Sequence, residues 1–141
     1  MNWLNELLVS TVFQTVISGV LVFVVGETIQ NFVLRLIQEY KGVIGRIDNE
    51  LKFYANVIAN PGTLSQEVLT DCSHALRKLS CDLEATRKQL FFRTNVGDRK
   101  ISDAARRLIR LSNSLGQGNN AIRNADDSDE VRKLLNILEL T

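Results

Sequence analysis

Residues 7–26 carry no charge, and thirteen of these twenty residues are Val, Ile, Leu or Phe. As a helix this stretch is about 30 Å long, the thickness of a bilayer's hydrocarbon core. At roughly −0.3 to −0.6 kcal/mol each near the bilayer centre, the apolar residues favour insertion by about 4–8 kcal/mol, less the cost of Thr11, Gln14, Thr15 and Ser18. Trp3 stands just outside, where an interfacial anchor belongs. Helical spacing then continues through Phe32, Val33, Leu36, Ile37 and Tyr40, and through Ile44, Ile47, Leu51, Tyr54 and Ile58 at steps of three and four. Gly42 and Gly45 are expected to kink the helix between these runs. Asn60-Pro61-Gly62 should end it, because the proline pushes Asn60 out of the helical region.

Three further helices follow from the same period. Thr63 and Gln66 have capping-box spacing, and the apolar row behind them is Leu69, Cys72, Leu76, Leu79, Leu83 and Leu90, with Thr86 in the gap. The pattern lapses over 91–101. Ser102 is the expected N-cap of a row formed by Ala105, Leu108, Leu111 and Leu115, ended by Gly116 or Gly118. Residues 116–127 read as polar loop. Ser128 is the expected cap of a last helix whose apolar face is Leu134, Leu135, Ile137 and Leu138, with Asp129 and Glu130 in its first turn. The expected architecture is therefore all-α: a transmembrane and juxtamembrane helix over 1–40, continuing into a small helical bundle over 41–141.

Other readings of the apolar span fit less well. A signal peptide has a basic start and a shorter apolar core, and Met1 to Glu6 hold no Lys or Arg. A surface-lying amphipathic helix needs basic residues on its polar face, and this one has none. Arg35, Lys41 and Arg46 follow the span and no basic residue precedes it, so the positive-inside bias places the N-terminus outside and the C-terminal part in the cytoplasm. Cys72 and Cys81 agree with that compartment. On one helix they are about 13.5 Å apart along the axis, too far for a disulfide, and two unpaired thiols suit a reducing space.

At 100° per residue, Thr11, Gln14, Thr15 and Ser18 fall within about 100° of one another, and Val22 and Val25 continue the stripe. Gly19 and Gly26 flank it; the opposite side is Leu, Val and Phe. In lipid a small, polar side faces protein or water, so self-association is the natural resolution. The stripe is then either a helix-packing seam or the lining of an oligomeric pore.

Composition narrows the function. A net charge of +1 argues against nucleic-acid binding driven by charge alone. No phosphate loop, metal cluster or nucleophile elbow is present, and no enzyme activity or cofactor is expected. His74 is the single histidine; Cys81 lies about 10 Å along the helix from it, beyond the reach of a cysteine–histidine pair. Arg106, Arg107 and Arg110 form a basic cluster, read either as a solvated face or as a contact for anionic lipid headgroups or RNA.

Four stretches, IGRIDNELKFYANVIANPG, SHALRKLSCDLEA, ISDAARRLIRLSNSLG and the terminal VRKLLNIL, together with the leading anchor, resemble a group of small bacterial single-span proteins. That group is similar to the membrane accessory protein of type VI-B CRISPR systems. The resemblance implies a ring-forming pore that depolarises the bacterial inner membrane when an RNA-targeting nuclease detects a phage. It also implies a cytoplasmic bundle related to the HEPN fold, with the CRISPR nuclease or its RNA as a partner. The chain departs from the HEPN ribonuclease motif, in which an Arg precedes a His by four to six intervening residues: no Arg occupies those positions before His74. It is also short for the group around 91–101. The expected function is thus a homo-oligomeric, single-pass membrane protein that permeabilises the inner membrane in antiviral defence. The alternative is a non-conducting helical adaptor that tethers a protein or RNA to the bilayer.

Overall fold

The structure, a computed structural model, describes residues 10–90, 95–115 and 120–137. Trp3, Gly116, Gly118 and Leu138 lie outside them. Every regular element among the described residues is helical, and none is a strand. The chain divides into two compact units, Met1–Ile37 and Gln38–Thr141.

The first unit contains α1, Thr11–Ile29, followed by a π-helical turn, Gln30–Leu34, and the start of α2, Arg35–Phe53. α1 is rich in β-branched Val and Ile, which are indifferent helix formers in water. In hydrocarbon the choice changes, because every backbone N–H and C=O must be satisfied within the segment and a helix does this. Nineteen residues rise about 28 Å. This is one helix long and apolar enough to cross a membrane.

In the second unit α2 buries Val43, Ile47 and Leu51, one turn apart along a single face. Gly42 and Gly45 do not interrupt it. α2 runs through both, and a Cβ at either would meet nothing within 4 Å, so no neighbour demands a glycine there. The break comes instead at Tyr54, whose ring meets Phe53 edge-on at 4.8 Å. A short α3, Ala55–Ala59, stops at Asn60, which the following proline holds at φ −131°, ψ 55°. The 3₁₀ turn Pro61–Thr63 comes next. The expected capping box does not form: the Thr63 hydroxyl donates to the Asn60 carbonyl at 3.0 Å, and Ser65 takes the N-cap position of α4, Gln66–Gln89.

The α4 row is buried as the period requires, at Leu69, Cys72, Leu76, Leu79, Leu83 and Thr86. α5, Asn95–Ser114, starts seven residues before the expected cap Ser102, which lies inside it. α6, Ala121–Leu134, likewise starts seven residues before Ser128, which is buried. Both early starts have the same cause: polar side chains there find partners on neighbouring helices instead of water.

α4 and α5 are antiparallel and joined at every seventh residue. Ser73 and Ser112 exchange hydrogen bonds, each hydroxyl reaching the other's carbonyl at 2.9–3.0 Å. One step along, the Ser80 hydroxyl donates to the Ala105 carbonyl at 2.8 Å. A further step on, the Arg87 guanidinium holds the Asp98 carboxylate at 2.8 and 3.0 Å. Small residues at Ser73, Ser80, Ala105 and Ser112 let the two backbones approach, and the heptad spacing matches that of a coiled coil. Beside this ladder Leu108, Leu111 and Leu115 of the α5 side, with Val131 of α6, complete a core in which each is fully buried. Removing one such side chain costs about 2–5 kcal/mol.

Candidate functional site

Two places carry the residues singled out by sequence: the stripe on α1 and the arginine cluster on α5. α1 buries none of its residues. Thr11, Gln14, Thr15, Ser18, Val22 and Val25 are all exposed, and so is the apolar side: Val16 is 57 % and Phe23 68 % accessible. Beside Gly19 and Gly26 a Cβ would meet nothing within 4 Å, so the groove they open is unfilled. The Thr15 hydroxyl donates to the Thr11 carbonyl at 2.8 Å, and the Thr28 hydroxyl does the same to Val24 at 2.7 Å. These hydroxyls satisfy themselves on their own helix, the usual resort of Ser and Thr in apolar surroundings. Gln14 is the bulkiest polar side chain of the stripe.

The π-helical turn at Gln30–Leu34 was not foreseen. Such turns cluster at functional sites and widen a helix locally. The sequence offers only a weak signal, the amide pair Gln30-Asn31 directly after the apolar run.

On α5 the three arginines have different partners. Arg107 reaches the Asp127 carboxylate at 2.9 Å and Glu130 at 3.8 Å. Arg110 grips the same Asp127 carboxylate with two nitrogens, Nε at 2.6 Å and Nη2. Asp127 lies on α6 and is 2 % exposed, so its charge depends on this clamp. The hydrogen bond to Asp127 raises the Arg110 pKa, against an opposing effect of burial. Arg106 is 75 % exposed, with Asp103 at 3.6 Å and the Ser102 hydroxyl at 3.3 Å. Two of the three arginines therefore bind α6 to α5 and bring less free charge to the surface than the sequence displays. Behind them Ser114 hydrogen-bonds the buried Asn124, whose amide reaches the Ile58 carbonyl at 3.4 Å.

Among the described residues no group of three His, Cys, Asp or Glu side chains is placed to hold a metal. His74 is exposed. Cys72 is buried and Cys81 exposed, both as free thiols, as the register of the α4 row requires. Burial, reinforced by the Glu50 carboxylate, pushes the Cys72 thiol up to about 12.

Comparison of the chain with protein-family models, with curated proteins and with solved structures gives no match.

Proposed function

We propose that the protein is a single-pass membrane protein that self-associates through α1 and permeabilises the bacterial inner membrane, with its N-terminus outside and the bundle in the cytoplasm. The observation that supports this reading is the state of α1. It is apolar enough to span and buries none of its residues, yet it carries Thr11, Gln14, Thr15 and Ser18 in one line. Apolar side chains as exposed as Val12 and Phe23 need lipid around them, whereas a line of Thr, Gln and Ser side chains is better placed against protein or water than against acyl chains. A ring of copies meets both needs: the stripe turns inward and the Leu, Val and Phe side faces acyl chains. A HEPN-like character for the bundle rests on the sequence resemblance alone. So do the antiviral setting and a CRISPR nuclease or its RNA as partner; the genes flanking this one would test that setting.

A non-conducting adaptor is the second reading. One observation favours it: Thr15 and Thr28 already satisfy their hydroxyls within the helix, which lowers the demand for a neighbour.

Gln14→Leu separates the cases. If the stripe lines a pore, the ring survives on detergent sizing while ion flux through liposomes falls, because an apolar constriction excludes water. If the stripe is a packing seam, the oligomer itself weakens, by about 0.6–2 kcal/mol per lost contact. An unchanged oligomer with unchanged flux would remove the stripe from the mechanism.

A further inference from the structure

A cavity of about 320 Å³ opens between α5 and α6, lined by Arg106, Ile109, Arg110, Asn113, Ser114, Asn120 and Arg123. Three of the seven are arginines and none is acidic. Asp103 and Asp127 draw on Arg106 and Arg110 from outside the lining. Arg123 has no ion pair among the described residues. Asp126, one turn along α6 from it, is exposed and is not paired with it either. The Asn113 side-chain oxygen already accepts from Arg77 at 2.7 Å, so what Asn113 has to offer a ligand is its amide nitrogen, a donor.

A second observation comes from how α6 begins. The first N–H groups of a helix have no acceptor within it, and the helix end carries a partial positive charge. A capping side chain or an acidic residue in the first turn normally answers both. α6 has neither: Asn120 sits at the N-cap position without a side-chain hydrogen bond, and the first turn holds no acid but does hold Arg123. A cation in that place works against the helix. Among the described residues nothing compensates for it, yet arginines from two helices converge on the same cavity.

We infer that this cavity is a binding site for a phosphate group, held by Arg106, Arg110 and Arg123 with the amides of Asn113 and Asn120. Guanidinium groups match the planar oxygen pairs of phosphate, and a helix N-terminus adds oriented donors. The volume lies at the small end of ligand sites, enough for a phosphorylated small molecule or one lipid headgroup and too small to enclose a nucleic-acid strand. The site lies within Gln38–Thr141 and does not depend on whether α1 conducts.

The test uses the full chain in phosphatidylcholine nanodiscs, titrated calorimetrically with pyrophosphate, with water-soluble short-chain phosphatidic acid and with a short oligouridylate. Pyrophosphate or the short-chain lipid should bind saturably. Arg123→Ala and Arg106→Ala should each weaken binding at least about tenfold, the loss of one charge-assisted contact. Arg123→Ala should meanwhile leave the melting temperature unchanged or raised, since it relieves the charge at the helix start. Pyrophosphate binding identifies a soluble phosphate ligand, and binding of the short-chain lipid alone identifies a headgroup. Binding of the oligouridylate alone, with a steep salt dependence, would replace the site with an RNA-binding surface. No binding, or equal affinity in wild type and both variants, would overturn it.

Discussion

Asp127→Asn tests how the second unit is held together. The substitution keeps the side chain's size and removes the charge that Arg107 and Arg110 share. In the folded protein the Asp127 carboxylate is 3 % accessible and takes hydrogen bonds from both guanidinium groups. Breaking a fully buried pair costs about 3–5 kcal/mol. The arginine side chains are 32 % and 45 % accessible, so they recover part of their hydration when the carboxylate is lost. The expected cost is therefore about 2–4 kcal/mol, a large share of the 5–15 kcal/mol typical of a domain. For a unit of this size that corresponds to a fall of roughly 8–20 °C in melting temperature. Thermal circular dichroism of the full chain in detergent measures it, with Arg106→Ala as the comparison. Arg106 is exposed and its partner Asp103 is 3.6 Å away, so its loss should cost under about 1 kcal/mol. A fall below about 2 °C for Asp127→Asn, or equal falls for both variants, would refute the claim that a buried carboxylate clamps α6 to α5.

In the folded protein Cys81 should react with a maleimide well before Cys72, and mass spectrometry after brief labelling should find the adduct on Cys81; equal rates would contradict the α4 register. Folding keeps the Cys72 proton up to about pH 12, whereas the unfolded chain loses it near 9. The unfolded state then binds fewer protons between these values, so stability falls as pH rises through that window, and Cys72→Ala should flatten this part of the profile in denaturant titrations. A C-terminal alkaline phosphatase fusion should be inactive in intact cells and a green fluorescent fusion bright; the reverse would remove the orientation drawn from Arg35, Lys41 and Arg46.

The parts of the fold that follow a single apolar period were legible in the sequence. The rows through Leu69, Leu76 and Leu83 and through Leu108, Leu111 and Leu115 are buried where their spacing puts them. Helix starts were not legible, because they depend on polar residues whose partners lie far along the chain. Asn124 and Asp127 resemble loop residues until Ser114, Arg107 and Arg110 are brought beside them. The Ser73, Ser80 and Arg87 ladder is hidden in the sequence for the same reason: a heptad of polar residues has no hydrophobic signal, and its meaning depends on Asp98, Ala105 and Ser112 opposite. The arginine cluster was visible as spacing, but its division into two clamp residues and one exposed residue was not. Arg123 carries no signal in the sequence because residues 116–127 read as loop, where a helix start has no meaning.

The claim that α1 permeabilises a membrane is tested most directly by reconstituting the purified full chain into potassium-loaded liposomes and recording ion release, with detergent sizing on the same preparation. The expected result is an oligomer and a release rate that rises with protein density and falls with Gln14→Leu. A protein that stays monomeric in several detergents and releases nothing would contradict it, leaving a membrane-tethered adaptor in its place.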